Sequence, residues 1–169
     1  MDSTKRGRQP SATVCAPCII GEDTEVRQCA FIRGKALIGR RCVIGNSTEL
    51  KNCIIADGAE VPHFNYVGDS ILGHRSHMGA GAVTSNLKSD RSAVTVRIGG
   101  ERIETGLKKM GAVLGDYAEI GCNSVLNPGS IIGKSTTVYP LSSVRGFVAP
   151  SSIFKSEKSI VPKSKEERY

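Results

Sequence analysis

The chain has no tryptophan, and only four tyrosines and four phenylalanines among its 169 residues. Helical bundles and Rossmann-type sheets fill their cores with bulky side chains, so this shortage, beside 19 glycines, disfavours both. It fits a repetitive β structure that turns every few residues. No apolar run approaches the ~18 residues that a membrane-spanning helix needs, so no membrane partner is expected. Met1–Pro10 is charged and polar with no apolar run behind it, so no secretory signal is expected either. A cytoplasmic location follows as the default, with the six cysteines as reduced thiols. Cys15-x-x-Cys18 lacks the second pair or the histidine partners of a zinc site, and no metal is expected. The formal net charge of +7 points to an anionic partner. A basic tail with scattered surface lysines, or a groove for small phosphorylated substrates, accounts for it, and no nucleic acid is expected.

What the chain has in quantity is a period. Aliphatic residues recur every six places at Val14, Ile20, Val26, Ile32, Ile38, Ile44 and Leu50, and again at Leu114, Ile120, Leu126, Ile132, Val138 and Val144. A glycine often comes next, as at Gly21, Gly39, Gly45, Gly115, Gly121 and Gly133. Four places after each aliphatic residue stands a small or β-tolerant one, such as Cys18, Thr24, Ala30, Cys42, Ala118 or Ser124. This is neither the 3.6 period of a helix nor the alternation of a meander. It implies a short strand, a corner, and the same again. Three hexads close a triangular coil, and the coils stack through parallel pairing because each leaves its strand edges open.

The period stutters twice, since Leu50 to Ile55 and Val67 to Leu72 are each one residue short. Between them, Val61-Pro-His-Phe-Asn-Tyr-Val-Gly-Asp69 keeps the step but breaks the bland composition. Gly79-Ala-Gly-Ala82 leaves a nearly bare backbone that another molecule can approach closely. Residues 85–111 abandon the hexads: Val94–Ile98 alternates, Gly99-Gly100 turns and Glu101–Thr105 returns, which predicts a projecting β-hairpin. The expected organisation is a disordered leader over 1–13, a repeat domain over 14–150 with the hairpin insertion at 85–111, and a cap with a charged tail over 151–169. The spacing predicts about six coils.

Phe31-Ile-Arg-Gly34, Asn46–Asn52, Pro62–Asp69, Gly79-Ala-Gly81 and Thr84-Ser-Asn86 together resemble the acetyltransferase half of the bifunctional family that makes UDP-N-acetylglucosamine from glucosamine-1-phosphate. Gly106–Gly115 and the longer hairpin look more like the archaeal-type sugar-1-phosphate acetyltransferase domains and their short bacterial relatives. The resemblance covers roughly residues 14–150. It implies an all-β fold, a left-handed parallel β-helix of hexapeptide repeats with one projecting β-hairpin. The hand is taken from the resemblance, because spacing does not provide it. Acetyl-CoA as co-substrate, a hexosamine-1-phosphate acceptor (glucosamine- or galactosamine-1-phosphate) and a homotrimer with sites between subunits are implied as well.

Within that resemblance His63 matches the general base that takes a proton from the sugar amine, a task suited to a group that titrates near neutral pH. Asn86 matches the amide that orients the acceptor or the histidine and supports the developing oxyanion. Arg33, Lys51 and Tyr66 match the residues that hold the sugar phosphate, and Glu49 a carboxylate near the sugar. Ala80, Gly81 and Cys122 lie along the groove for the pantetheine arm. His77 is expected to line the acceptor site, where the family carries asparagine. The spacing agrees, since Arg33, Lys51 and Tyr66 are 18 and 15 residues apart, close to one coil, and so share one side of the prism.

His77 is one departure from the family, and Ser92 in place of a basic residue is another, with Lys88, Arg91, Lys108 and Lys109 close by. Both point to an altered acceptor. No Gly-rich nucleotide-binding segment precedes residue 14, so nucleotidyl transfer is not expected. Two further readings stand beside the enzyme. One is a non-catalytic binder of a sugar phosphate or sugar nucleotide that partners a separate nucleotidyltransferase. The other is a β-helix that serves only as an assembly scaffold.

Overall fold

Side chains six residues apart point the same way only if the chain turns a regular corner between them. The computed structural model, which describes residues 7–163, shows that corner repeated on both sides of the insertion at 85–111, with no helix among the described residues. Short strands form three flat faces of a prism. On the first face Glu25–Val26, Val43–Asn46, Glu60–His63, His77–Met78, Glu119–Ile120, Thr137–Val138 and Ser152–Ser156 stack in parallel. The second and third faces belong to one twelve-stranded sheet, because Glu49–Ile55 and Tyr66–Leu72 run unbroken round the corner between them. Seven tiers result, one more than the spacing predicts.

The repeating aliphatic residues fill the prism. Ile38, Ile55, Leu72, Leu114 and Ile132 form one interior column, and none is more than 2% exposed. The small residues four places on are buried at the corners, where the chain comes too close to the axis for anything larger (Thr24, Ala30, Cys42, Thr48, Ala118 and Ser124). Cys42 is a core residue of this kind, while Cys53 is buried within the strand Glu49–Ile55, where burial pushes its thiol up to about 12. Most corners turn through a residue of positive φ, such as Arg41, Ser47, Asn52, Phe64, Asp69 and Asn123, whose φ values lie between 38° and 56°. That conformation costs a non-glycine residue about 1 kcal/mol or more, which the cooperative ladder offsets.

The insertion contains the expected arm. Thr95–Ile98 pairs antiparallel with Glu101–Glu104 through Gly99 and Gly100, whose φ values of 59° and 86° suit a tight two-residue hairpin turn. Val94 and Val96 at its root are buried against the prism, so the arm is docked there while its tip projects.

Both ends differ from the expectation. Gly7–Thr13, read as part of a disordered leader, is packed on the first tier: Gln9 N donates to Val26 O at 2.8 Å and Ala12 is 2% exposed. Residues 1–6 lie outside the described residues. At the other end the period continues beyond 150, because Phe154 stands six residues after Val148 and is 3% exposed. Ser159–Pro162 then folds back antiparallel on Ser152–Ser156 and closes the first face. Of the predicted charged tail, residues 164–169 lie outside the described residues.

The outward side of the third face is apolar throughout. Ile19, Leu37, Ile54 and Ile71 stand in register at 66%, 48%, 46% and 44% exposure, and Val113, Ile131 and Phe147 continue the line. Adjacent Ile54 and Ile55 thus face opposite ways. Ile55→Ala should cost ~2–5 kcal/mol by leaving a cavity in the column, measured by denaturant unfolding.

Candidate functional site

Both shortened repeats fall at one corner, between the second and third faces, in consecutive tiers. There Lys51-Asn52 and Gly68-Asp69 replace the longer turn made by Arg33-Gly34-Lys35 one tier earlier. In the next tier the insertion leaves from the same corner after Asn86. A polar network joins these tiers. Arg33 Nη1 donates to Glu49 Oε1 at 2.7 Å, and Lys51 Nζ reaches Asp69 Oδ2 at 3.2 Å. Asn52 Nδ2 donates to Asp69 Oδ1 at 2.7 Å, while Asn86 donates to Asp69 Oδ2 by a short hydrogen bond and to the Tyr66 hydroxyl at 3.2 Å. The Asp69 side chain is 8% exposed. Burial alone would raise its pKa, yet the hydrogen bonds from Asn52, Asn86 and Lys51, with the Lys51 charge, hold it below the usual carboxylate range. Glu49, by its hydrogen bond and then its charge, raises the Arg33 pKa further.

Five of the expected residues therefore meet at or beside this corner: Arg33, Glu49, Lys51, Tyr66 and Asn86. Asp69, which links three of the network's side chains, is absent from the sequence expectation. Its signal is the spacing, because Asp69 stands 17 residues after Asn52, one coil shortened by the missing residue, with Lys51 and Gly68 paired beside them.

His63 lies across the second face, at the corner between the first and second faces. It ends the strand Glu60–His63 in register with Asn46, and Tyr66 begins the next strand. Asn65 fixes this turn from within. Only 3% exposed, it accepts from His63 N at 3.0 Å and donates to Gly79 O at 2.7 Å and Ala82 O at 3.0 Å. The backbone of His63 is thereby tied to the Gly79–Ala82 turn of the next tier. The His63 side chain is exposed and borders a cavity of about 480 Å³ shared with His77, Gly79, Ala80 and Cys122. Gly81 has a packing reason of its own: a Cβ there would meet Phe64 Cε2 at 2.9 Å and collide with Asn123.

His77 is outward on the first face, between Glu60 and Glu119 in the ladder. Its Nδ1 lies 3.0 Å from Glu119 Oε2. The Glu119 hydrogen bond raises its pKa, burial opposes this, and the charges of Glu119 and Glu60 add to the rise. The expected residues thus form two groups, one along the His63 cavity and one at the Asp69 corner, on the two edges of the second face.

A profile of the GMPPB C-terminal domain matches residues 14–127. The chain belongs to this family. A bifunctional sugar-1-phosphate nucleotidylyltransferase/acetyltransferase from Sulfurisphaera tokodaii is 36% identical over 102 residues, which are 60% of this chain and 25% of that protein. The bifunctional protein GlmU of Methanococcus maripaludis is 29% identical over 137 residues, 80% of this chain and 33% of that protein. The chain thus spans a quarter to a third of the length of these relatives, and the resemblance read from its motifs stands. Among solved structures, a point mutant of AntD, an N-acyltransferase from Bacillus cereus in complex with dTDP-4-amino-4,6-dideoxyglucose and coenzyme A, aligns with a TM-score of 0.66 at 14% identity. It covers 87% of this chain and 84% of AntD. PerB from Caulobacter crescentus, in complex with CoA and GDP-perosamine, aligns with a TM-score of 0.53 at 18% identity over 93% of this chain and 56% of PerB. At these identities the structures establish the fold, a parallel β-helix.

The His77–Glu119 pair has a pH signature. A folded pKa raised above the unfolded value of about 6.5 stabilises the protein below that pH, and the contribution is lost as pH rises through the folded value. Glu119→Gln should lower the His77 pKa in an NMR titration and remove this stability change. An unmoved titration midpoint would show that the pair does not form in solution.

Proposed function

We propose that the chain is an acetyl-CoA-dependent N-acetyltransferase whose acceptor is a hexosamine-1-phosphate, glucosamine- or galactosamine-1-phosphate. The observation that carries this reading is His63 itself: an exposed imidazole on a backbone pinned by Asn65, at the mouth of a cavity bordered by Gly79, Ala80 and Cys122. Relatives whose names include acetyltransferase, and folds solved with CoA, support it. His63 takes a proton from the acceptor amine as its nitrogen attacks the thioester carbonyl. The N–C bond forms, the C–S bond breaks, and CoA leaves as the thiol after gaining a proton. The pantetheine arm runs past Ala80, Gly81 and Cys122, where small side chains leave room. The sugar ring lies over Tyr66 between Glu49 and Asn86, and His77, held by Glu119, flanks the amine end. Since the thioester is already activated, the protein's main contribution is positioning.

Self-assembly, with a homotrimer as the form, belongs to the same reading. The apolar line from Ile19 to Phe147 supports it, because a face of that length and composition calls for a partner, and a second copy of the same prism offers a flat one.

Two experiments follow. His63→Ala should lower kcat for thiol release from acetyl-CoA by ~10²–10⁴-fold with glucosamine- or galactosamine-1-phosphate. Absence of wild-type turnover with both amines, alongside retained sugar-phosphate binding, would replace the enzyme by the non-catalytic binder. Ile54→Asp combined with Ile71→Asp should reduce the particle mass in light scattering to that of one chain while the β signal in circular dichroism persists. An unchanged mass would rule out this face.

A further inference from the structure

We propose that His77 is the acid partner of His63: as the thioester breaks, its imidazolium supports the departing sulfur and gives it a proton. This rests on the acetyl-transfer reading above. The placement starts from the ladder. His77 is in register with Glu60 on one side and Glu119 on the other. His63 stands three residues after Glu60 on the same strand, so one tier and three residues put the two histidines about 11 Å apart at Cα. The outward side between them is bare. Pro62 is buried, and Gly79 has no side chain. None fits there, because a Cβ would meet Cys122 N at 2.7 Å and Ile120 O at 2.8 Å. Both imidazoles border the cavity of about 480 Å³ across this gap. A thioester lying over Gly79 and Ala80 therefore has one ring on each side.

Chemistry sorts the two rings. Arg27, Glu60, His77 and Cys122 share the cavity with His63. Arg27 is held by Glu25 through contacts of 3.1 and 3.2 Å, and a guanidinium does not release its proton near neutral pH. Glu60 as a carboxylate has no proton to give. Cys122 is itself a thiol, with no advantage as an acid over the sulfur it would serve. His77 differs in how it is held. Its Nδ1 lies 3.0 Å from Glu119 Oε2, so Nδ1 carries the hydrogen and Nε2 is left for the cavity. The Glu119 hydrogen bond raises the His77 pKa, burial opposes this, and the charges of Glu119 and Glu60 add to the rise. Arg41, Arg75 and Asp23 line the far side of His77 and do not reverse it. Among the described residues no carboxylate pairs with the His63 ring. A carboxylate beside one histidine and none beside the other is how two like residues take opposite roles.

The step balances. His63 takes a proton from the acceptor nitrogen as the N–C bond forms. The C–S bond breaks with its electron pair going to sulfur, and sulfur takes the proton from His77 Nε2. Exchange with solvent then resets both rings, since neither is fully buried. Glu119 is a positioning residue, acting on sulfur only through His77.

The test is the pH dependence of thiol release from acetyl-CoA with glucosamine- and galactosamine-1-phosphate, in wild type, His77→Asn and Glu119→Gln. Asparagine can still donate to Glu119 but has no proton to transfer. His63 works as the neutral ring, so the rate rises with pH through its pKa. His77 works charged, so the rate falls again as pH rises through a value above the ordinary ~6.5. Wild-type kcat should trace a bell. His77→Asn is expected to lose the alkaline limb and about tenfold in kcat, with KM for the amino sugar within about twofold. The loss is modest for general acid catalysis because a thiol of pKa ~8.5 leaves with little help. Glu119→Gln should keep the limb and move it to lower pH, and circular dichroism checks that both variants fold. An alkaline limb that survives in His77→Asn overturns the proposal and leaves His63 to carry the proton both ways. A raised KM with kcat unchanged overturns it too and makes His77 a binding residue. If His77→Asn does not fold, an unmoved limb in Glu119→Gln decides against it. Wild type without turnover on either amine overturns the acetyl-transfer reading and this proposal together.

Discussion

Each tier of this molecule is a loop of three short strands whose backbone donors and acceptors point along the prism axis. Few of them are satisfied within the tier, where corner turns close bonds such as Ala30 N to Arg27 O and Thr48 N to Gly45 O. The parallel ladder between tiers supplies nearly all the partners, and every other feature is subordinate to it. Keeping the ladder in register forces equal arc lengths, hence the period of six. It forces one inward aliphatic residue per strand, because the tiers must fill the axis at a constant height. It also accepts residues of positive φ at most of the corners, where they bring the next strand back over the last.

A scaffold so regular carries chemistry only where the regularity is broken without breaking the ladder. The corner between the second and third faces is such a place. Losing one residue at Lys51-Asn52 and again at Gly68-Asp69 tightens the turn while the strands on either side stay paired. The insertion then leaves from the same corner and rejoins the ladder at Ala112–Leu114, which pairs with Tyr66–Leu72 as though nothing intervened. Three consecutive irregular tiers leave polar side chains stacked at one edge, and Asp69 binds them into a unit. The proposed base stands on the opposite edge of the same face, so a ligand lying across that face touches both.

Much of this was legible in the chain and some was not. The interior columns, the hairpin turn at Gly99-Gly100 and the two short steps follow from counting residues, because a period of six has few alternatives. The coincidence of the irregularities at one corner does not emerge from counting hexads, since it appears only when residues are counted by coils, 18 at a time where no residue is lost. Asp69 was hidden for that reason: next to Gly68 it reads as an ordinary turn residue. Phe154 was hidden by the four-residue step from Val144 to Val148, which masks the six-residue step after it. The pairing of Arg33 with Glu49 and of His77 with Glu119 depends on side-chain direction, which the repeat determines only as inward or outward.

The two ends of the prism have a bearing on how the molecule behaves in a crowd. A stack of parallel strands terminates in unpaired edges, and such an edge is a template for the next chain to join. On the first face both edges are spoken for: Gly7–Gln9 lies along Val26, and Ser159–Pro162 runs antiparallel along Ser152–Ser156. An antiparallel strand is the wrong polarity to seed a further parallel tier, and Pro162 has no amide hydrogen to offer. End-to-end growth of one prism onto another through a further parallel tier is thereby disfavoured at the Ser159–Pro162 end of that face.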